Sequence, residues 1–440
     1  MSHVVKKRKL DKTRQDRLYF DSYSDVTIHE EMIADHVRTS TYRTAILRNS
    51  ESIRGKVVLD VGAGTGVLSV FCAQAGAKKV YAVEACSIAE QAAKIVRHNK
   101  LEDRIEVIRG TVETAELPEK VEVIVSEWMG YALLHESMLN SVLYARDKWL
   151  KPGGLILPSK AELFIAPVSD PVLEDRLHFW YTVKEQYGVD MSCMSDFARR
   201  CLMNSDITVN AVTVEDVLSH PARFAELDLY AVTAEELRSV GGHFRCESFG
   251  SAAVNAFCVY FTVTFPCPDK PQAQALVLST SPFKAETHWK QAVLYLDAPV
   301  DVVQDTPVTG TVRMYPSKES ARHICIHVDY TIGEQKRQSK TFSIPDWSSD
   351  SHLLFPRTRL ECRFVSTNLK RKKGGKKTGF SPVVSTCVWL SEAGSSPPFP
   401  GSGGDERVAS SSTSRGTGEF RVRQGRVTNH PIATQDEGHD

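Results

Sequence analysis

The chain has 440 residues, 42 % of them hydrophobic and 25 % charged, which is a globular balance with room for two domains and tails. Basic and acidic residues both number 54, and a formal net charge of zero argues against a whole-surface nucleic-acid footprint and direct sequence-specific nucleic-acid binding. No run approaches the roughly 18 consecutive apolar residues of a membrane span. The ten cysteines include no CxxC pair, which points to a reducing compartment and away from a metal site or a disulfide framework.

Residues 1–18 read as a basic N-terminal tail, too polar for a secretory signal, with Lys6-Lys7-Arg8-Lys9 as its cluster. Residues 19–52 read as helices, and Met32, Ile33 and Val37 are expected to share one helical face. From residue 53 the pattern alternates. Val57–Asp60 is a strand, Val67–Ala73 a helix, Val80–Glu84 a strand, Ile88–His98 a helix, and Ile105–Ile108 and Val121–Val125 are strands. Such alternation predicts a parallel sheet wrapped by helices, closing near Pro158 after a turn at Lys151-Pro-Gly-Gly. Beyond residue 159 the runs Glu162–Pro167, Ala256–Phe265, Gln291–Leu296, Thr311–Tyr315 and His323–Val328 are aromatic and β-branched with few helices between them. An antiparallel barrel or sandwich follows from that texture. Residues 348–440 are rich in Ser, Gly and Lys, including Lys370–Lys377, and are expected to be a disordered, low-complexity tail.

Two constellations carry chemistry. Asp60-Val-Gly62-Ala-Gly64-Thr-Gly66 lies between a strand and a helix, where an open α/β sheet places its ligand. Its third glycine comes one residue earlier than in the dinucleotide fingerprint, so no pyrophosphate is expected. Glu84 ends the next strand, 18 residues after Gly66, and can accept hydrogen bonds from both ribose hydroxyls. Glu113, after the third strand, is placed to meet an adenine edge. An adenosine without phosphates, such as S-adenosylmethionine, fits all of these. A nicotinamide-dependent dehydrogenase would explain the glycine loop and Glu84, but not the early third glycine or the second constellation.

That second constellation is Ser126-Glu127-Trp-Met-Gly-Tyr-Ala-Leu-Leu-His135-Glu136, after the fourth strand. Its two carboxylates, joined by a Gly-containing turn, are either two solvated loop residues or a pair aimed at one spot. The second reading suits a guanidinium, which is always protonated and a poor nucleophile. Two carboxylates gripping it would draw positive charge away from one nitrogen and free its lone pair.

On these residues, and on Tyr19-Phe-Asp-Ser-Tyr23, His29-Glu-Glu-Met32 and Thr287-His-Trp289, the chain resembles the type I protein arginine methyltransferases from about Tyr19 to Trp347. The resemblance implies a Rossmann-like, seven-stranded-type methyltransferase domain at 53–158 with covering helices at 19–52. It also implies a β-barrel substrate domain at 159–347, with a helical dimerisation arm at about 170–207. Glu127 and Glu136 would clamp the substrate arginine, and His288 would border it. Arg38 would pair with the methionine carboxylate of S-adenosylmethionine, and His29, Gly62, Glu84 and Glu113 would complete that site. Tyr19, Tyr23 and Met32 would form a lid over the sulfonium. The resemblance further implies a homodimer yielding mono- and asymmetric dimethylarginine on proteins such as histones, including the arginine at the second position of histone H-three. A chromatin and transcription role and a nuclear location go with it. The tail after about residue 348 has no counterpart in the family and carries no assigned function. A cofactor-dead chromatin-binding module is opposed by the intact Glu127 and Glu136.

Overall fold

The computed structural model describes residues 12–344 except 271 and 319. The expected tail at 348–440 and the basic clusters at Lys6–Lys9 and Lys370–Lys377 lie outside the described residues. Among the described residues no helix is long and apolar enough to cross a membrane.

Four helices lead: α1 (Lys12–Ser22), α2 (Val26–Ala34), α3 (His36–Arg48) and α4 (Ser50–Ile53). The chain is already helical at Lys12, within the stretch expected to be tail, because Tyr19 is buried and anchors α1. The single apolar face expected through Met32, Ile33 and Val37 does not form. Asp35 breaks the helix with φ −63° and ψ 93°, and its carboxylate caps α3 by accepting the Arg38 amide at 2.9 Å. Ile33 is consequently exposed.

The parallel sheet contains β1 (Val57–Val61), β2 (Lys79–Glu84), β3 (Ile105–Arg109), β4 (Val121–Val125) and β5 (Leu150–Leu157) in the order β3-β2-β1-β4-β5. Helices α5 (Val67–Gln74), α6 (Ala89–His98) and α7 (Leu139–Trp149) connect and cover it. Apart from Asp60 in β1 and the half-buried Glu122 in β4, these two strands are apolar and buried, as a sheet sandwiched between helix layers requires. These five strands are the core of the seven-stranded methyltransferase type. Lys151-Pro-Gly-Gly is not a closing turn. It bulges within β5, where Val121 pairs with Leu150 and Val123 with Leu155.

After β5 the chain passes directly into β6 (Lys160–Val168). Helices α8 (Pro171–Tyr187) and α9 (Ser195–Leu202) fall within the segment expected to be the arm. Then follow β7 (Thr208–Asn210), β8 (Ala222–Asp228), β9 (Val240–Glu247), β10 (Ala252–Phe265), β11 (Leu276–Ser279), β12 (Gln291–Val302), β13 (Pro307–Pro316), β14 (Ile324–Ile332) and β15 (Gln338–Ser343). They make two antiparallel sheets, β7-β12-β10-β6-β8 with β11 on β10, and β15-β14-β13-β9. The Ile207 amide donates to Ser343 O at 2.9 Å and stitches one edge, giving a barrel-like closure around Phe257, Phe261 and Phe342.

Candidate active site

One cavity of about 1270 Å³ lies at the carboxyl edge of the parallel sheet. All eleven residues singled out from the sequence line it: Tyr19, Tyr23, His29, Met32, Arg38, Gly62, Glu84, Glu113, Glu127, Glu136 and His288. Its volume exceeds the roughly 300–1,000 Å³ of a single small-molecule pocket, so a nucleoside and a second reactant fit together.

The glycine loop forms the floor. Gly62, Gly64 and Gly66 all have left-handed φ of 55–80°, and a Cβ on Gly62 would lie 2.1 Å from the Met138 methyl. Glu84 braces the loop. Its Oε2 accepts the Gly64 amide at 2.7 Å and its Oε1 accepts the Cys86 amide at 2.7 Å. Each oxygen keeps a further lone pair for a ribose hydroxyl. Glu113 is held by Ser141 Oγ, which donates to it at 2.6 Å.

The two glutamates enter from one strained loop. Ala132, Leu133, Glu136 and Ser137 all have left-handed φ between 48° and 77°, which non-glycine residues adopt only when their surroundings over-determine it. Gly130 lets the loop close on itself, since a Cβ there would meet the His135 carbonyl oxygen at 2.1 Å. The Glu127 side chain is only 8 % exposed, and its Oε2 accepts from Arg38 Nε at 3.1 Å and Nη2 at 3.0 Å. Arg38 Nη1 donates to the Met32 carbonyl at 3.0 Å. The guanidinium expected to serve a ligand carboxylate thus also holds the first glutamate, because α3 carries it across the mouth of β4.

Glu136 accepts from the Tyr23 hydroxyl at 2.7 Å. Burial, then the charge of Glu136, holds the Tyr23 phenol well above its ordinary range, so it stays a donor. Burial likewise pushes the Glu136 carboxyl up to about 7; the Glu127 charge adds to this and the tyrosine hydrogen bonds oppose it. His29 donates through Nε2 to the Tyr23 carbonyl at 2.9 Å and anchors the turn after α1.

His288 comes from the barrel, before β12. Its backbone amide donates to Asp35 Oδ2 at 2.9 Å and its Nδ1 lies 2.7 Å from the same oxygen. Burial raises the Asp35 carboxyl, but hydrogen bonds from His288 and from the Arg38 amide outweigh it and hold the group below its usual range. Trp289 Nε1 donates to Met129 O at 2.8 Å and locks the start of the glutamate loop. Asp35 and Arg322, which also lines the cavity, were not foreseen. Asp35 carries a helix-cap signal ahead of His36-Val37; Arg322 carries none.

Residues 159–335 match the family described as the arginine methyltransferase oligomerization subdomain, and residues 58–154 match a methyltransferase domain family. Protein arginine N-methyltransferase 6 of Danio rerio is 74 % identical over 344 residues, covering 78 % of this chain and 97 % of that one. This chain belongs to the protein arginine N-methyltransferases. The methyltransferase is also 56 % identical over 341 residues to protein arginine N-methyltransferase 6 of Xenopus tropicalis, covering 78 % and 99 % of the two chains. Among solved structures, the Trypanosoma brucei PRMT1 enzyme-prozyme heterotetrameric complex with AdoHcy aligns with a TM-score of 0.66 at 34 % identity. That match covers 74 % of this chain and 100 % of the other. A crystal structure of PRMT6 with SAH aligns with a TM-score of 0.57 at 28 % identity, covering 72 % and 100 %.

The methyltransferase uses S-adenosylmethionine, and the cavity fits it. The glycine floor leaves space that a Cβ would fill, and Glu84 offers two acceptors at the end of β2. Glu84→Ala is therefore expected to weaken cofactor binding at least tenfold. Charge-assisted hydrogen bonds contribute about 1.5–3 kcal/mol each, and tenfold corresponds to about 1.4 kcal/mol. Calorimetric titration checks this, and an unchanged affinity would rule out the ribose assignment.

Proposed function

We propose that this methyltransferase is a type I enzyme that forms ω-N-monomethylarginine and asymmetric dimethylarginine on histone tails, including the arginine at the second position of histone H-three. In this reading it acts as a nuclear homodimer in chromatin and transcriptional regulation. The observation that carries the reading is the pair of glutamates. Each is fixed by a different partner, Arg38 for Glu127 and Tyr23 for Glu136, and both face one cavity beside the unbranched Met32.

S-adenosylmethionine, when bound, supplies a methyl group on a sulfonium. Glu127 and Glu136 accept N–H hydrogen bonds from the guanidinium and concentrate its positive charge on the nitrogens they grip. The remaining nitrogen presents its lone pair to the methyl carbon, and holding the two about 3–3.5 Å apart gives the largest gain in rate. Methyl transfer from the bound cofactor would leave the methylated nitrogen with a proton to shed. His288, an imidazole on the barrel side of the cavity with its Nδ1 held by Asp35, accepts it.

Asymmetric dimethylation needs the same nitrogen to attack twice, so space must open beside the first methyl. Met32 is unbranched and adaptable. Met32→Phe is expected to slow the second transfer more than the first and to shift the product toward monomethyl- or symmetric dimethylarginine. Fragment-ion analysis of the products checks this, and an equal fall in both steps would reduce Met32 to a packing residue.

The acidic rim at Asp25 and Glu31 suits a basic peptide such as a histone tail. Peptide mapping of core histones incubated with the enzyme and deuterated cofactor tests the substrate assignment, and label confined to non-histone controls would overturn it. The homodimer is supported by Phe179, Tyr181, Tyr187 and Phe197 on and beside α8 and α9, which stand between 46 and 66 % exposed and leave an apolar arm to be covered. Sedimentation of Tyr181→Glu/Phe197→Glu should show monomers, and an intact dimer would exclude the arm. The nuclear location rests on Lys6–Lys9 and Lys370–Lys377. A fluorescent fusion still nuclear after both clusters are neutralised would contradict that basis.

A further inference from the structure

Between β13 and β14 the barrel folds a short loop back onto the glutamate loop, and three hydrogen bonds join them, one between main chains and two from side chains to main chain. The Glu136 amide donates to Arg322 O at 2.6 Å, Arg322 Nη1 donates to Glu136 O at 3.0 Å, and Ser137 Oγ donates to the Ala321 carbonyl. The His135 and His323 rings stack 5.5 Å apart beside them. The same guanidinium reaches the opposite way. Its Nε donates to Asp16 Oδ1 at 2.7 Å, and its Cζ lies over the rings of Tyr19 and Phe20, 4.0 and 5.2 Å from their centroids. Asp16, Tyr19 and Phe20 all belong to α1, which lines the cofactor cavity together with Glu84 and Gly62.

We infer that Arg322 is a positioning residue that couples the seating of α1 over the cofactor cavity to the setting of Glu136. The inference rests on Glu136 being a carboxylate that grips the substrate guanidinium. Glu136 sits at φ 77°, so its backbone needs contacts that hold it there, and Arg322 supplies one from each of its own main chain and side chain. Only arginine can do both jobs at once. Its flat face stacks on aromatic rings while its edges donate in separate directions, whereas a lysine ammonium is a point charge without a face. When α1 lifts, the guanidinium loses its stack and its Asp16 partner, and Glu136 loses a fixed anchor. The acceptor arginine thus meets a set carboxylate only when α1 closes the cofactor in.

Arg322→Lys and Arg322→Gln in the full chain test the coupling. Both should lower kcat at least tenfold with the peptide KM within twofold, and both should speed dissociation of S-adenosylhomocysteine at least fivefold in stopped flow. The acid limb of kcat separates charge from shape. The groups facing Glu136 are Tyr19 from α1, Tyr23 from the turn after it, Glu127 at the start of its own loop, and Arg322 from the barrel. Arg322 holds Glu136 down, so Gln should move that limb to higher pH and Lys should restore it. A merely structural role would lower thermal stability and the active fraction, but leave kcat per active site, the dissociation rate and the limb unchanged. That result overturns the inference. Inactive Glu136→Gln with native-like Arg322 variants would reject the coupling alone, whereas active Glu136→Gln would reject the reading of Glu136 beneath it.

Discussion

Glu136→Gln is expected to cut methyl transfer on the order of 10³-fold, the scale of losing one preorganised electrostatic partner at a reacting centre, while cofactor affinity stays within a few-fold. Glutamine keeps the shape and can still accept from Tyr23, but it turns an NH₂ group or a weaker acceptor toward a cationic guanidinium. Near-native turnover would end the two-carboxylate account. The same carboxylate predicts a pH profile. Burial raises it to about 7, so below that pH the free enzyme holds a neutral acid where the substrate needs an anion. The kcat/KM for an arginine peptide should therefore fall as pH drops through about 7 and level off above it. A profile flat across that range would assign the raised carboxyl no part in substrate capture.

Arg38→Ala should be the most destabilising single change in the site. Arg38 and Glu127 have side chains only 7 and 8 % exposed, and removing one partner leaves a buried charge alone. Breaking such a pair costs about 3–5 kcal/mol. Denaturant unfolding measures it, and adding Glu127→Gln should recover part of the lost stability without recovering activity. An Arg38→Ala protein as stable as the native one would mean that the ion pair is not held in solution.

The parts of this site legible in the sequence are those written locally. The glycine loop and Glu84 belong to successive β-α units, and Glu127 and Glu136 stand in one loop, so spacing and chemistry suffice to group them. What stayed hidden depends on long-range packing. Asp35 meets His288 across 253 positions, Arg322 meets Glu136 across 186, and Arg38 meets Glu127 across 89. The helix break at Asp35 was hidden for a related reason. Its neighbours favour helix on both sides, and only the capping geometry, fixed by His288 on the other oxygen, turns the chain there. The bulge at Lys151–Gly154 read as a turn because Pro-Gly-Gly marks chain reversal in general, whereas here an edge strand absorbs it opposite Glu122.

The most direct test of the account is the chemistry of its product. An arginine peptide incubated with the enzyme and cofactor bearing a deuterated methyl group should yield a doubly labelled arginine whose fragment ions show loss of labelled dimethylamine, the mark of two methyl groups on one nitrogen. Label on lysine, or doubly labelled arginine that loses only monomethylamine, would contradict it.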